Sequence, residues 1–278
     1  MKTVKLNNGI EMPVLGLGTF LSNDPAVCEQ SVVDAISLGY RLIDTAQGYG
    51  NEEHIGRAIA RCGVPREELF ITTKVWFGNY GNTRASVEES MRKLQTDYLD
   101  LVLLHWPFGD TYAAWRVLEE LYTEGKIRAI GVSNYTADRL VDLVNYNKVV
   151  PAVNQVETNL VSQQIEVRTW MDKLGVQHMG YAPFGQGKIN EIYADEALQY
   201  IAGRYHKTVR QVVLRFQIQS DVVVIPKTTH IERMKENLEV FDFELLDNEI
   251  EILRALDQGQ PLIGNPQNPD LVSSSIGW

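Results

Sequence analysis

Eight short runs rich in Val, Ile and Leu recur along the chain, separated mostly by longer stretches whose apolar residues return every three or four positions. The runs are Val14–Phe20, Arg41–Ala46, Leu69–Val75, Asp100–Trp106, Ala129–Asn134, Ala152–Glu157, Val176–Ala182 and Val222–Lys227. Several are apolar without alternation, the pattern of strands buried on both faces. Helix-period segments lie at Ala26–Leu38, Glu52–Cys62, Ala85–Leu94, Tyr112–Tyr122, Ala137–Tyr146, Gln164–Leu174, a pair over Glu196–Gln219, and Ile231–Phe241. Strict alternation of strand and helix demands right-handed parallel crossovers. Eight such units predict an α/β fold, a closed (β/α)8 TIM barrel. Thr208 with Gln211 and Thr229 with Glu232 read as capping boxes that open two helices. Ahead of the first run, Val4–Leu6 and Ile10–Met12 flank Asn7-Asn8-Gly9, the signature of a hairpin, which is expected to plug the barrel floor. A short Gly/Pro-rich tail runs from Gln258 to Trp278. No linker or composition break interrupts residues 1–278, so one domain is expected.

The competing architecture is a doubly wound sheet, whose mark is GxGxxG after the first strand. Here Gly16 and Gly18 are followed by Leu21 where the third glycine belongs, so any dinucleotide site is built another way. A length of 278 residues with 44% apolar content suffices for a large core. A formal net charge of −10 argues against nucleic-acid or membrane-surface partners, while leaving room for a locally basic pocket. Cys28 and Cys62 sit in helix-like segments without metal-ligand spacing, so ordinary thiols are expected and a metal is not. No stretch reaches the ~18 to 20 consecutive apolar residues of a membrane helix, and the N-terminus lacks a secretory pattern. The expectation is a cytoplasmic monomer.

In such a barrel the reacting groups come from the carboxyl ends of the strands. The second run ends in Asp44 and leads to Tyr49, the third ends near Lys74, and the fourth ends in His105. The fifth ends in Ser133-Asn134, the sixth in Gln155 and Glu157, the seventh in Tyr181 and the eighth in Lys227. Asp44, Lys74, His105 and Ser133 follow one another at intervals of about thirty residues, one strand-helix unit each, which places them on one rim. Singly, each has an ordinary explanation: Asp44 with Lys74 as a structural ion pair, His105 as a satisfied rim histidine, Tyr49 as a surface aromatic. Together they make chemical sense. A phenol with a free pKa of about 10 is a poor acid at neutral pH unless a nearby ammonium stabilises the phenolate. Lys74 is placed to supply that charge, Asp44 to hold Lys74 protonated, and His105 to hydrogen-bond the substrate oxygen. Such a set suits protonation of a carbonyl oxygen as negative charge develops on it.

These residues lie within stretches that resemble the aldo-keto reductases over nearly the whole chain. The stretches are GYRLIDTA at 39–46, YGNE at 49–52 with Ile55-Gly56, TTKVW at 72–76, LLHWP at 103–107, IGVSN at 130–134, and IPKT at 225–228 followed by Arg233, Glu236 and Asn237. The resemblance implies that Tyr49 is the general acid, completed by Asp44, Lys74 and His105, and that a reduced nicotinamide supplies the hydride. It also implies that Ser133, Asn134 and Gln155 hold the carboxamide and that Tyr181 stacks on the nicotinamide ring. Gly185-Gln186-Gly187 would let the backbone approach the pyrophosphate, with a plain Gly-rich turn as the alternative. Lys227, Thr228 and Arg233 bring two cations and a hydroxyl to the start of a helix, where the dipole also favours an anion, and so read as a 2′-phosphate site. On that helix Ile231, Met234, Leu238 and Phe241 form the expected core stripe, leaving Arg233, Glu236 and Asn237 on another face, which in the family meets adenosine. NADPH is the expected cofactor, with NADH the less favoured alternative.

Phe20, Tyr49, Trp76 and Trp106 are expected to line a small-carbonyl pocket, with core packing the rival role for Phe20 and Trp106. Gly48 is expected to widen that pocket. Two departures from the family pattern stand out: Glu157-Thr158-Asn159-Leu160 replaces the common Glu-x-His-Pro, and the loop after His105 is short. An open mouth of this kind resembles the compact bacterial members, including 2,5-diketo-D-gluconic acid reductases and broad aldehyde reductases. Two rivals from other classes are a cofactor-binding regulatory module without catalysis and a metal-dependent hydrolase. The second would need several metal ligands at the rim, where His105 is the sole histidine among the strand-end residues.

Overall fold

The computed structural model describes residues 2–275. An antiparallel pair comes first, β1 (Thr3–Lys5) and β2 (Glu11–Pro13). Gly9 N donates to Leu6 O and Leu6 N to Ile10 O, both at 2.9 Å, and Gly9 closes the turn with a φ of +90°, which side chains resist. Eight parallel strands follow: β3 (Gly16–Gly18), β4 (Leu42–Asp44), β5 (Phe70–Val75), β6 (Leu99–Leu104), β7 (Ile127–Ser133), β8 (Val153–Glu157), β9 (Gln177–Tyr181) and β10 (Val223–Val224). Its two edges meet, since Val224 N donates to Val14 O at 2.9 Å and Gly18 N to Pro226 O at 3.2 Å. The barrel expected from alternation therefore closes. The hairpin lies beneath it, with the Asn7 and Asn8 amides donating to Pro151 O and Arg128 O, both at 3.0 Å, beside the starts of β8 and β7.

The glycines of the failed fingerprint have a packing cause. A Cβ on Gly16 would lie 2.4 Å from Leu42 Cγ, and one on Gly18 would lie 2.6 Å from Ile225 O. Bare backbone lets β3 sit close to both neighbours where the barrel closes. Side chains alternate along the strands: Leu101 and Leu103 join Leu42, Phe70, Val153, Met179 and Val223 inside, together with Leu6 and Met12 from the hairpin. Val102 and Leu104 face outward into the larger core with Ile43, Ile71, Ile130, Val132 and Trp115.

The helices are α1 (Pro25–Ser37), α2 (Glu52–Arg61), α3 (Thr83–Leu94), α4 (Thr111–Thr123), α5 (Ala137–Tyr146), α6 (Ile165–Leu174), α7 (Glu196–Tyr205), α8 (Val209–Gln219), α9 (Ile231–Leu238), α10 (Asp247–Arg254) and α11 (Pro269–Ser274). The first of the two expected capping boxes forms: Thr208 Oγ1 accepts from Gln211 N at 3.2 Å and Gln211 Oε1 from Thr208 N at 2.9 Å. The second does not. His230, not Thr229, is the N-cap of α9, and it donates its N–H to Thr228 Oγ1 at 3.1 Å. Of the expected stripe of α9, Met234 is buried and Leu238 and Phe241 pack against the core, while Ile231 is exposed; Asn237 is buried as well, and the Tyr40 hydroxyl donates to Met234 O at 3.0 Å. Neither α10 nor α11 was among the expected helices; α10 buries Leu253 against Leu198, Ile201 and Phe216 of α7 and α8. Among the described residues no helix is long and apolar enough to cross a membrane. Both cysteines are free, Cys28 fully and Cys62 partly buried. Trp278, the expected end of the tail, lies outside the described residues.

Candidate active site

All the strand-end residues meet on the carboxyl rim of the barrel. Asp44 closes β4, Lys74 lies near the end of β5, and His105 follows β6 with its N–H donating to Val75 O at 3.1 Å. Tyr49 is delivered by a short 3-10 turn, Gln47–Tyr49, which Gly50 terminates at φ +67°. Lys74 Nζ donates to Asp44 Oδ1 at 2.6 Å, to Thr45 O at 2.8 Å and to Tyr49 Oη at 3.3 Å. Gln155 Nε2 donates to the other Asp44 oxygen at 2.8 Å. Every hydrogen of the ammonium therefore has an acceptor, and one of these is the phenol.

Electrostatics set the protonation states. Burial raises the Asp44 carboxyl and lowers the Lys74 ammonium, and the contact between them opposes both shifts. Tyr49 differs from the expectation of a phenol acidified by Lys74. Its removal from water, then the nearby Asp44 charge, hold it well above its ordinary value, so the resting group keeps its proton. His105 is 8% exposed and is pushed well below 6.5, first by burial and then by Lys74, which leaves a neutral imidazole. Its Nδ1 has no protein partner among the described residues.

Aromatic rings surround this group. Tyr49 lies 5.0 Å from Phe20 and 5.7 Å from His105, and Trp76 lies 5.3 Å from His105, all measured between ring centroids. Phe20 is exposed and Trp76 and Trp106 are half-buried, so they stand at the rim rather than in the core. Gly48 has a packing role against one of these rings. A Cβ there would lie 2.7 Å from Trp76 Cε3, so the glycine makes room for the indole.

The expected carboxamide residues are next to the cluster of Asp44, Lys74, Tyr49 and His105 and bonded to one another. Ser133 Oγ donates to Gln155 O at 2.8 Å, Asn134 Nδ2 donates to His105 O at 3.0 Å, and Tyr181 Oη donates to Asn134 Oδ1 at 2.8 Å. Asn134 takes a φ of +63°, a left-handed turn that points its amide back at this network. Gly185, Gln186 and Gly187 all have positive φ, and a Cβ on Gly185 would meet Ile189 Cγ1 at 2.7 Å, so the turn itself accounts for that glycine. Lys227 and Arg233 are exposed beside the start of α9, and neither forms an ion pair with a described residue. Thr228 is buried between them. Glu236 is partly buried, and one of its carboxylate oxygens accepts from the Thr208 hydroxyl at the start of α8.

Sequence places Glu157 at a strand end on this rim without a role, and leaves the tail out of the site. The carboxylate of Glu157 accepts from Leu262 N at 2.9 Å and Ile263 N at 2.9 Å, and a Cβ on Gly264 would lie 2.9 Å from Trp106 Cη2. A cavity of about 750 Å³ lies beside this crossing, between the starts of α5 and α6 and the tail, with Asn134, Glu157 and Tyr181 in its wall. Sequence carries no local mark of a backbone-to-carboxylate bond spanning a hundred residues.

A family model described as "Aldo/keto reductase family" matches residues 14–258. Among curated proteins, the glyoxal reductase of Bacillus subtilis is 45% identical over 267 residues, covering 95% of this chain and 96% of the relative. The methylglyoxal reductase of Escherichia coli K12 is 38% identical, with 95% and 96% covered. Among solved structures, an aldo-keto reductase from a Medee basin deep-sea metagenome library superposes with a TM-score of 0.92 at 40% identity, covering 95% of this chain and 98% of that one. A Bombyx mori aldo-keto reductase in complex with NADP superposes with a TM-score of 0.90 at 33% identity, covering 95% of each.

Proposed function

This chain belongs to the aldo/keto reductase family, and from that premise we propose that it reduces small aldehydes and ketones with NADPH, using Tyr49 as the general acid. The observation that carries this reading is the bond from Lys74 Nζ to Tyr49 Oη at 3.3 Å, inside a ring of strand-end residues that holds the lysine from three sides. As negative charge grows on a carbonyl oxygen, the Tyr49 proton passes to it, and the adjacent ammonium stabilises the phenolate left behind. Asp44, tied down by Gln155, keeps Lys74 charged and aimed. Neutral His105 offers a hydrogen bond to the same oxygen and is not a competing proton source at neutral pH. Phe20, Trp76 and Trp106 shield the carbonyl from water.

The cations of α9 fit a phosphorylated dinucleotide, since Lys227 and Arg233 are exposed and lack protein counter-ions in a chain of net charge −10. Bound NADPH supplies the hydride that reaches the carbonyl carbon. Lys227, Thr228 and Arg233 would hold its 2′-phosphate, Glu236 and Asn237 its adenosine, and Gly185 with Gln186 its pyrophosphate. Ser133, Asn134 and Gln155 would orient the carboxamide beside Tyr181. The glyoxal and methylglyoxal reductases among the relatives support 2-oxoaldehydes as the first substrates to try.

The test is Tyr49→Phe, assayed with methylglyoxal and NADPH. Turnover is expected to fall roughly 10²- to 10⁴-fold while the Kd for NADPH stays within about twofold. Undiminished turnover would remove Tyr49 from the role.

A further inference from the structure

Glu157 ends β8 at 2% exposure, and among the described residues no cation pairs with its carboxylate. A buried carboxylate of this kind is tolerable only where N–H donors replace water. Three do so: Asn159 Nδ2 at 3.0 Å, Leu262 N at 2.9 Å and Ile263 N at 2.9 Å. Two of the three belong to the tail, which leaves α10, is pinned where Gln258 N donates to Val161 O at 2.9 Å, and crosses the rim to bring Gly264 against Trp106. Hydrophobic packing does not explain this course. Leu262 and Ile263 are only half-buried, and the stretch on either side of them borders the 750 Å³ cavity instead of a filled core. Lys188 Nζ reaches Leu262 O from the loop after β9, so the crossing is held from two sides by polar bonds.

We propose that Glu157 is a positioning residue that latches residues 258–264 as a strap across the rim, and so sets the wall that the far end of a carbonyl substrate meets at Trp106. The inference rests on the carbonyl-reductase reading above. Small carbonyls, which need only Tyr49 and His105, are indifferent to the strap; bulky ones depend on it.

The variant Glu157→Gln keeps the volume but turns an NH2 toward donors, so one of the two strap bonds is lost. Hydrogen exchange followed by mass spectrometry is expected to show the peptide covering 258–264 exchanging at least about 10-fold faster, with β8 itself unchanged. In steady state the KM for a bulky aromatic aldehyde is expected to rise about 10-fold, with kcat, the KM for methylglyoxal and the Kd for NADPH each within about twofold. Unchanged exchange overturns the latch. Equal KM changes for small and bulky carbonyls, or a fall in kcat alone, overturn its role in specificity. Should Glu157→Gln not fold, Lys188→Met must speed exchange of the same peptide by a smaller factor, and no acceleration there also overturns the latch. Exchange does not depend on turnover, so a chain that reduced no carbonyl would refute the reductase reading and leave the latch separately decided.

Discussion

Two histidines, His105 and His178, are buried without a charged partner, and burial pushes both imidazoles toward the neutral form. At the rim this neutrality fits the proposed proton transfer, in which Tyr49 would be the one acid facing the substrate. At His178 it has a cost in stability. The ring accepts or donates one bond with Thr158 Oγ1 at 2.8 Å, its Nδ1 is unpartnered among the described residues, and its pKa falls to about 3. In the unfolded chain the same group titrates near about 6.5. Between those values the unfolded state binds the extra proton, so stability is full above about 6.5 and declines as pH falls toward 3. Between pH 7.5 and 5.0 this histidine alone should remove about 2 kcal/mol. Urea unfolding of the parent and of His178→Gln at both pH values measures it: the difference between the two pH values should shrink by about that amount in the variant, and an identical difference in both proteins would refute the assignment.

At the scale of the element, α9 shows how a helix divides its labour. Met234 and Asn237 face inward, Glu236 ties to the start of α8, and Arg233 is left exposed with Lys227 beside the helix start. A phosphate there would meet two unspent cations as well as the helix dipole. Arg233→Ala is therefore expected to raise the Kd for NADPH about 10- to 100-fold while changing that for NADH by no more than about twofold. Parallel losses for both cofactors would place Arg233 outside the phosphate site. Periodicity revealed this helix and most of its inward face, Met234, Leu238 and Phe241, but not the burial of Asn237 or the exposure of Ile231, and the Tyr40 hydroxyl that reaches Met234 O comes from a residue nearly two hundred positions earlier. The Thr229 box failed for a related reason: the helix starts at the residue after His230, one position later than the pattern requires.

Across the whole molecule, stability and chemistry occupy opposite ends of the barrel. Met12 is fully buried with Leu42, Phe70 and Leu101 at the floor, while the proposed reacting groups stand on the other rim. Met12→Ala should cost about 2 to 5 kcal/mol and lower Tm by roughly 5 to 15 °C, with kcat at 25 °C unchanged. Lost turnover in a variant that remains folded at that temperature would show that floor and rim are coupled.

The repeat of apolar runs and helical segments determined the barrel by itself, because strand and helix periods are local and eight parallel crossovers have few ways to close. It also carried Asp44, Lys74 and His105 to one rim, since each stands at or beside the end of a successive strand, with Tyr49 a short turn beyond Asp44. Tertiary structure decided what depends on distance through space. Burial, and not the lysine, governs the resting Tyr49 proton; Trp76 packs where a side chain on Gly48 would lie; and the carboxylate of Glu157 finds its donors in Leu262 and Ile263. Dielectric, close approach and hydrogen bonding between remote segments have no period, so only the folded chain reveals them.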